Sequence, residues 1–202
     1  MEKILFVLGL TGSIGMGKTT AANMFKLMGV PVHDADLVVH YLLSNDTAVL
    51  KQVGDRFPES FDGLSIDRQV LGAIVFDDTK ALKDLETIIH PQLRKISRQF
   101  LRNQSRIGAR LVVLDIPLLY ETGSDSRVDA VAVVTAPKFL QIRRVLSRPG
   151  MNMKKLEAIL DSQMSDYDKR RRADFIVKTG IGKAHTYRVL SRLVNLLRMQ
   201  NS

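Results

Sequence analysis

Residues 4–19 read Ile-Leu-Phe-Val-Leu-Gly-Leu-Thr-Gly-Ser-Ile-Gly-Met-Gly-Lys-Thr, and no other stretch restricts the fold of this chain as much. The apolar run Ile4–Leu8 predicts a buried strand, and Thr19–Met28 predicts a helix. Between them Gly12 to Thr19 satisfies G-x-x-x-x-G-K-[ST]. Strand, loop and helix in that order are the context the motif requires. The residue types follow from the anion such a loop wraps. Backbone N–H groups line a tight turn around the phosphates, and Gly12, Gly15 and Gly17 are expected to supply room and permissive dihedrals. The helix opening at Lys18 aims its amides and dipole at the same charge. The Lys18 ammonium then reaches the β- and γ-phosphates, and the Thr19 hydroxyl ligates Mg²⁺. Gly12, Ser13, Ile14, Gly15, Met16, Gly17, Lys18, Thr19 and Thr20 form the expected nucleotide-binding stretch.

Further apolar, β-branched-rich runs at Leu111–Leu114, Val128–Val134 and Phe175–Val177, with a short one at Val30–Val32, alternate with helical patterns. Near-continuous apolar strands separated by helices predict a doubly wound α/β sheet buried on both faces. Helices are expected at Asp36–Leu43, Ala48–Phe57, Arg68–Val75, Thr79–Ile89, Gln92–Arg106, Lys138–Leu146, Lys154–Met164 and Ala184–Met199. Pro91 and Pro137 sit near expected helix starts, where proline is tolerated. Almost eighty mostly helical residues separate the strand at Val32 from the one at Leu111, too many for one crossover. The expected arrangement is one domain of 202 residues. Its core is about 1–35, 109–144 and 173–202, with a helical substrate-binding insertion at about 36–108 and a lid at about 145–172.

Other residues are placed where chemistry is expected. Asp34 and Asp36 follow the second strand, and ligands of open α/β sheets bind beyond strand carboxyl ends. Two carboxylates there orient a hydroxyl and accept its proton, or hold Mg²⁺ through water. The alternative is that Asp36 caps a helix and Asp34 tolerates a turn. Asp115 ends the Leu111–Leu114 strand, the position of an aspartate touching a metal shell, or simply of a turn before Pro117. Arg144 and Arg148 stand at i, i+4 and are expected on one helix face, as a phosphoryl clamp or as solvated charges. Asp67 is a candidate N-cap before Arg68, and His90-Pro91 marks a boundary between two helices. The run Lys169–Arg172 reads as a solvated face, with phosphate or adenine contact as the lesser alternative.

Composition removes some classes. No Cys is present, so neither disulfides nor thiolate metal sites exist, and a reducing cytoplasm is the expected setting. His33, His40, His90 and His185 lack metal-site spacing. The apolar stretch after Lys3 is short for a signal peptide and reaches the glycine loop without a small-x-small cleavage site. No apolar run reaches membrane-spanning length. The net charge of +9 suits phosphorylated ligands or nucleic acid, but aromatics are only 6% and Trp is absent, so base-stacking platforms are not expected. A GTPase should carry D-x-x-G after its metal strand and [NT]-K-x-D. Ile-Pro-Leu follows Asp115, and the second motif does not occur.

The ordered set resembles the dephospho-CoA kinase family. The resemblance runs through Leu10–Thr19, Asp34-Ala35-Asp36, Ile66-Asp67-Arg68 with Leu71-Gly72 and Val75-Phe76, and His90-Pro91. It continues in Pro117–Glu121, Gln141-x-x-Arg144-x-x-x-Arg148, Gln163-Met164-Ser165 and Ala173-Asp174, covering roughly residues 5–180. It implies a P-loop nucleotide-kinase-like fold with a five-stranded parallel core, a helical substrate domain and a lid. It implies transfer of the γ-phosphoryl of ATP to the ribose 3′-hydroxyl of dephospho-CoA, with Asp34 as base. It turns Arg68, His90, Pro117 and Leu118 toward the acceptor, beside Asp34 and Asp36, and makes Arg144 and Arg148 the clamp. A small-molecule substrate, no nucleic-acid or membrane partner and a monomer are the corresponding expectations. The nearest rival is a kinase of the same fold with another acceptor. The chain departs from the family pattern at Lys178-Thr179-Gly180, where asparagine is usual, at Pro149-Gly150 and at Lys154-Lys155.

Overall fold

A computed structural model describes residues 5–200. Five strands form one parallel sheet in the order β2-β3-β1-β4-β5, with β1 Phe6–Thr11, β2 Val32–Asp34, β3 Leu111–Asp115, β4 Ala130–Thr135 and β5 Phe175–Lys178. The register pairs Phe6 with Leu111 and Leu10 with Asp115 on one side of β1, and Leu8 with Ala130 on the other. β4 pairs with β5 from Ala132–Phe175 to Thr135–Lys178.

β4 shows why the sheet is covered on both faces. Alternate side chains of a strand point to opposite faces. Ala130, Ala132 and Val134 join Leu8, Leu10, Phe25, Leu190 and Leu197 in one core, whereas Val131 and Val133 pack with Leu119 and Tyr120 in another. Helix α1 (Lys18–Leu27) and the last helix, α9 (Lys183–Gln200), supply the first core.

The chain divides into two compact units, one running to His33 and resuming at Asn103, the other Asp34–Arg102. The second unit contains α2 (Ala35–Asn45), α3 (Thr47–Arg56), α4 (Arg68–Asp77) and most of α5 (Thr79–Arg106). It has a core of its own, including Leu42, Val53, Phe57, Leu71, Leu85 and Ile89. Asp34, Asp46 and Asp67 cap its helices by accepting from Leu37, Val49 and Gln69 N–H groups at 3.1, 3.0 and 2.8 Å. Beyond β4 lie α6 (Lys138–Leu146), α7 (Met153–Asp161) and α8 (Asp166–Arg172).

Several boundaries differ from those expected. β1 begins and ends later than Ile4–Leu8, because its ladder with β3 runs up to Asp115; Ile4 lies outside the described residues. β2 starts after Pro31, whose nitrogen carries no hydrogen and whose carbonyl accepts from Val113 N at 2.9 Å. β4 begins two residues late, behind a 3₁₀ turn at Ser124–Arg127. α7 ends at Asp161 instead of Met164, and a separate α8 follows, capped by Ser165.

The largest correction is α5. One continuous helix of 28 residues replaces the two expected, with Pro91 in its interior. Ala81, Leu85, Ile89 and Leu93 recur every four residues, and Ile96 extends the stripe. That stripe packs on one core on both sides of Pro91, so tertiary burial outweighs the lost hydrogen bond.

Candidate active site

β1 feeds the loop Gly12–Gly17 straight into α1. Gly17 occupies the N-cap position with φ 93°, and Gly15 has φ 77°, both in the left-handed region where a side chain is strained. No side chain caps α1, which is the arrangement an anion completes. Gly12 is required for a different reason than expected. A Cβ there would lie 2.4 Å from Val134 Cγ2 and 2.7 Å from Val134 O, so its missing side chain lets the loop sit on β4. The Met16 side chain is likewise turned inward: it is buried, and its sulfur accepts from Ala136 N at 3.1 Å. Met16 therefore offers a ligand its backbone only. Ser13 is buried and accepts from Met16 N at 3.1 Å through its carbonyl, which closes the turn. Thr19 is exposed and Thr20 half-buried on α1.

The Lys18 ammonium donates to Asp115 Oδ1 at 2.7 Å. Asp115 is 1% exposed at the end of β3. A buried carboxylate beside the loop lysine holds the charge balance before phosphate arrives. Thr19 and Asp115 offer one hydroxyl and one carboxylate, hard oxygen donors. Mg²⁺ in phosphoryl-transfer sites takes one or two carboxylates plus phosphate oxygens, so this donor set fits it. No group of three or more His, Asp or Glu side chains that could hold a metal by themselves occurs among the described residues.

The outer side of the loop is tied to the elements around it. Gln141, buried on α6, donates Nε2 to Ile14 O at 2.9 Å. Gln163 Oε1 accepts from Ile14 N at 3.3 Å. Arg144 donates Nη1 to Gly15 O at 3.3 Å and to Thr179 Oγ1 at 3.1 Å, and Nη2 to Thr179 O at 3.0 Å. Arg148 does not share a face of α6 with it. The helix ends at Leu146 and Arg148 lies exposed past the C-cap Ser147, because Pro149 disfavours helical geometry in the residue before it.

Lys169 also departs from expectation: it is 0% exposed, not a solvated charge. Its ammonium pairs with Glu121 at 2.8 Å and donates to Pro117 O at 3.4 Å, an oxygen that also accepts from Thr11 Oγ1 at 2.8 Å. Glu121 Oε1 accepts from Met164 N at 2.9 Å. The turn carrying Pro117 and Leu118 is thereby fixed to α8. Leu118 itself is 37% exposed.

In the Asp34–Arg102 unit, Asp34 is the N-cap of α2 instead of a turn residue, and Asp36 sits in the first turn. Arg68 is exposed and lies 2.7 Å from His40 Nδ1 through Nη1. His90 and Pro91 line a pocket of about 400 Å³ with Lys83, Glu86, Thr87 and Arg94. Sequence reasoning yielded no contact for His40, Gln163, Gln141 or Thr179, and it placed Lys169 in solvent. Their partners are remote in the chain, so no local spacing announces them. Lys83 and Arg94 were findable, since they stand about two turns before and about one turn after His90 on α5.

A parallel sheet with this strand order, a glycine loop opening directly into α1 and a loop lysine paired to a strand-end aspartate mark a P-loop nucleotide-binding protein. The sequence profile of the dephospho-CoA kinase family matches residues 6–183. A dephospho-CoA kinase of Mesorhizobium japonicum is 50% identical over 97% of this chain and 98% of its own. One from Paramagnetospirillum magneticum is 54% identical over 81% of this chain and 77% of its own. Among solved structures, TT1252 from Thermus thermophilus aligns with a TM-score of 0.84 at 34% identity, covering 96% of this chain and 99% of that one. Dephospho-CoA kinase from Campylobacter jejuni aligns with a TM-score of 0.71 at 27% identity, covering 97% and 98%. The chain belongs to the dephospho-CoA kinase family.

Proposed function

We infer that this protein transfers the γ-phosphoryl group of ATP to the ribose 3′-hydroxyl of dephospho-CoA, releasing CoA and ADP. The observation that carries the reading is the uncapped start of α1 behind Gly17, with the Lys18 ammonium held beside it by Asp115. ATP phosphates take the loop amides, and Lys18 passes from the aspartate to phosphate oxygens. The acceptor 3′-oxygen bonds to the γ-phosphorus as the β,γ-bridging bond breaks. Asp34 steers the hydroxyl and takes its proton, a role supported by its place at the end of β2. Arg144 and Arg148 balance charge on the transferring oxygens. Thr19 and Asp115 would hold Mg²⁺, which neutralises phosphate charge when bound. Asp36, Arg68, His90, Pro117 and Leu118 serve the acceptor, and the segment 145–172 excludes water as a lid. A monomer acting in the cytoplasm, without nucleic-acid or membrane partners, completes the proposal. No helix among the described residues is long and apolar enough to cross a membrane.

The test is ADP release with ATP, Mg²⁺ and a panel of acceptors. Dephospho-CoA should saturate the enzyme, while nucleoside monophosphates, shikimate-like alcohols and added DNA should not raise the rate. Preference for one of those acceptors would move the assignment to another kinase. Replacing Asp34 by Asn should lower kcat by about 10²-fold or more, the usual contribution of a positioned base, with ATP affinity retained. Near-normal turnover in that variant would remove Asp34 from the role. Lys18→Ala should lose both binding and turnover.

A further inference from the structure

Three successive carbonyls of the phosphate loop are tethered from outside. Ile14 O accepts from Gln141, Gly15 O from Arg144, and Met16 O from the Thr179 hydroxyl at 2.6 Å. Thr179 is 7% exposed and stands just beyond β5. Its single hydroxyl proton goes to Met16 O, with Thr135 O a longer alternative at 3.3 Å, while its lone pairs receive Arg144. The residue therefore relays a guanidinium to the loop backbone. Packing reinforces the tether: a Cβ on Gly17 would come within 3.0 Å of Thr179 Oγ1 and 3.2 Å of its Cβ.

The consequence follows from the geometry of a trans peptide, whose C=O and N–H point in opposite directions. No peptide of the described chain is cis. Fixing the Ile14 and Met16 carbonyls toward α6 and β5 turns the Gly15 and Gly17 N–H groups the other way. Amides held in that sense are an anion nest, and holding them in advance lowers the ordering cost when the anion binds.

We propose that Thr179 is a positioning residue for the nucleotide: its hydroxyl, together with Gln141, pre-sets the amides of the phosphate loop. The proposal rests on the kinase reading of the site. It also gives a role to the position where this chain departs from the family's usual asparagine.

The experiment compares Thr179→Ala, which removes hydroxyl and methyl, with Thr179→Ser, which keeps the hydroxyl. ATP affinity is measured directly by titration, KM for ATP and for dephospho-CoA by ADP release, and folding by thermal melting. Loss of a hydrogen bond to a buried loop carbonyl predicts about tenfold weaker ATP binding for Thr179→Ala. The acceptor KM should stay unchanged, and Thr179→Ser should lie within about twofold of wild type. Wild-type ATP affinity in Thr179→Ala overturns the proposal, as does a serine variant impaired as much as the alanine one. Gln141→Met removes the neighbouring tether independently and keeps the test open if Thr179→Ala does not fold. Weaker ATP binding with an unchanged acceptor KM supports the pre-set loop, and unchanged ATP affinity contradicts it. A wild-type protein that neither binds ATP nor releases ADP would instead remove the kinase reading itself.

Discussion

Tyr120 shows how much of this molecule is decided by single buried atoms. It is 7% exposed, and its hydroxyl has no hydrogen-bond partner among the described residues. Burial first, then the charges of Asp174 and Asp125, push its phenol up from 10.0 to about 12, against the opposing pull of Arg172. Between those values the unfolded chain releases a proton that the folded chain retains, so this group's contribution to stability is lost as pH rises through that window. Spectrophotometric titration should find that one of the 4 tyrosines ionises about two units after an ordinary one, and Tyr120→Phe should abolish that late step. Because the hydroxyl is unsatisfied, Tyr120→Phe should leave the melting temperature unchanged or raised. At this scale the sequence was legible where chemistry follows short spacing. Lys18 and Asp67 stand where a loop lysine and an N-cap were expected. It placed Lys169 in solvent and gave no contact for Thr179 or Gln141, because the partners of Thr179, Gln141 and Lys169 lie 163, 127 and 48 positions away (Met16, Ile14 and Glu121).

Elements were legible where periodicity was strong, and misread where a local breaker competed with packing. Pro91 signals a helix end, yet α5 runs through it because the stripe from Ala81 to Ile96 packs on one core. Pro91→Ala restores a donor for the Thr87 carbonyl and should stabilise the protein by about 1–3 kcal/mol in urea unfolding. A loss of stability would show that the proline is required by the fold. The opposite error concerns Lys169 on α8, which belongs to a run of four basic residues read as a solvated face. Glu121 makes burial of Lys169 tolerable. Lys169→Met strands that carboxylate and should cost about 2–3 kcal/mol, below the about 3–5 kcal/mol range of fully buried pairs because Glu121 keeps some contact with water. The paired change Lys169→Met with Glu121→Leu should recover much of the loss. A single variant as stable as wild type would show that the pair contributes nothing.

For the whole molecule, alternation of apolar strands and helices was enough to predict a doubly wound parallel sheet, because inner strands such as β3 and β4 are buried on both faces and read as continuous apolar runs. The order β2-β3-β1-β4-β5 was not derivable that way, since pairing is set by crossovers, not by the strands' own pattern. The net charge of +9 acts across the whole surface: KM for ATP should rise as ionic strength is raised, through screening of a basic surface from an anionic substrate. A KM independent of salt would assign binding to short-range contacts alone. The loop, Lys18 and Asp34 are proposed to serve transfer to a sugar alcohol rather than to water, and phosphorus NMR of the purified protein with ATP, Mg²⁺ and dephospho-CoA decides between the two. A new phosphomonoester should appear on the ribose 3′-oxygen in equal amount to ADP and only when acceptor is present. ADP formed at the same rate without acceptor, or with no phosphomonoester, would contradict it.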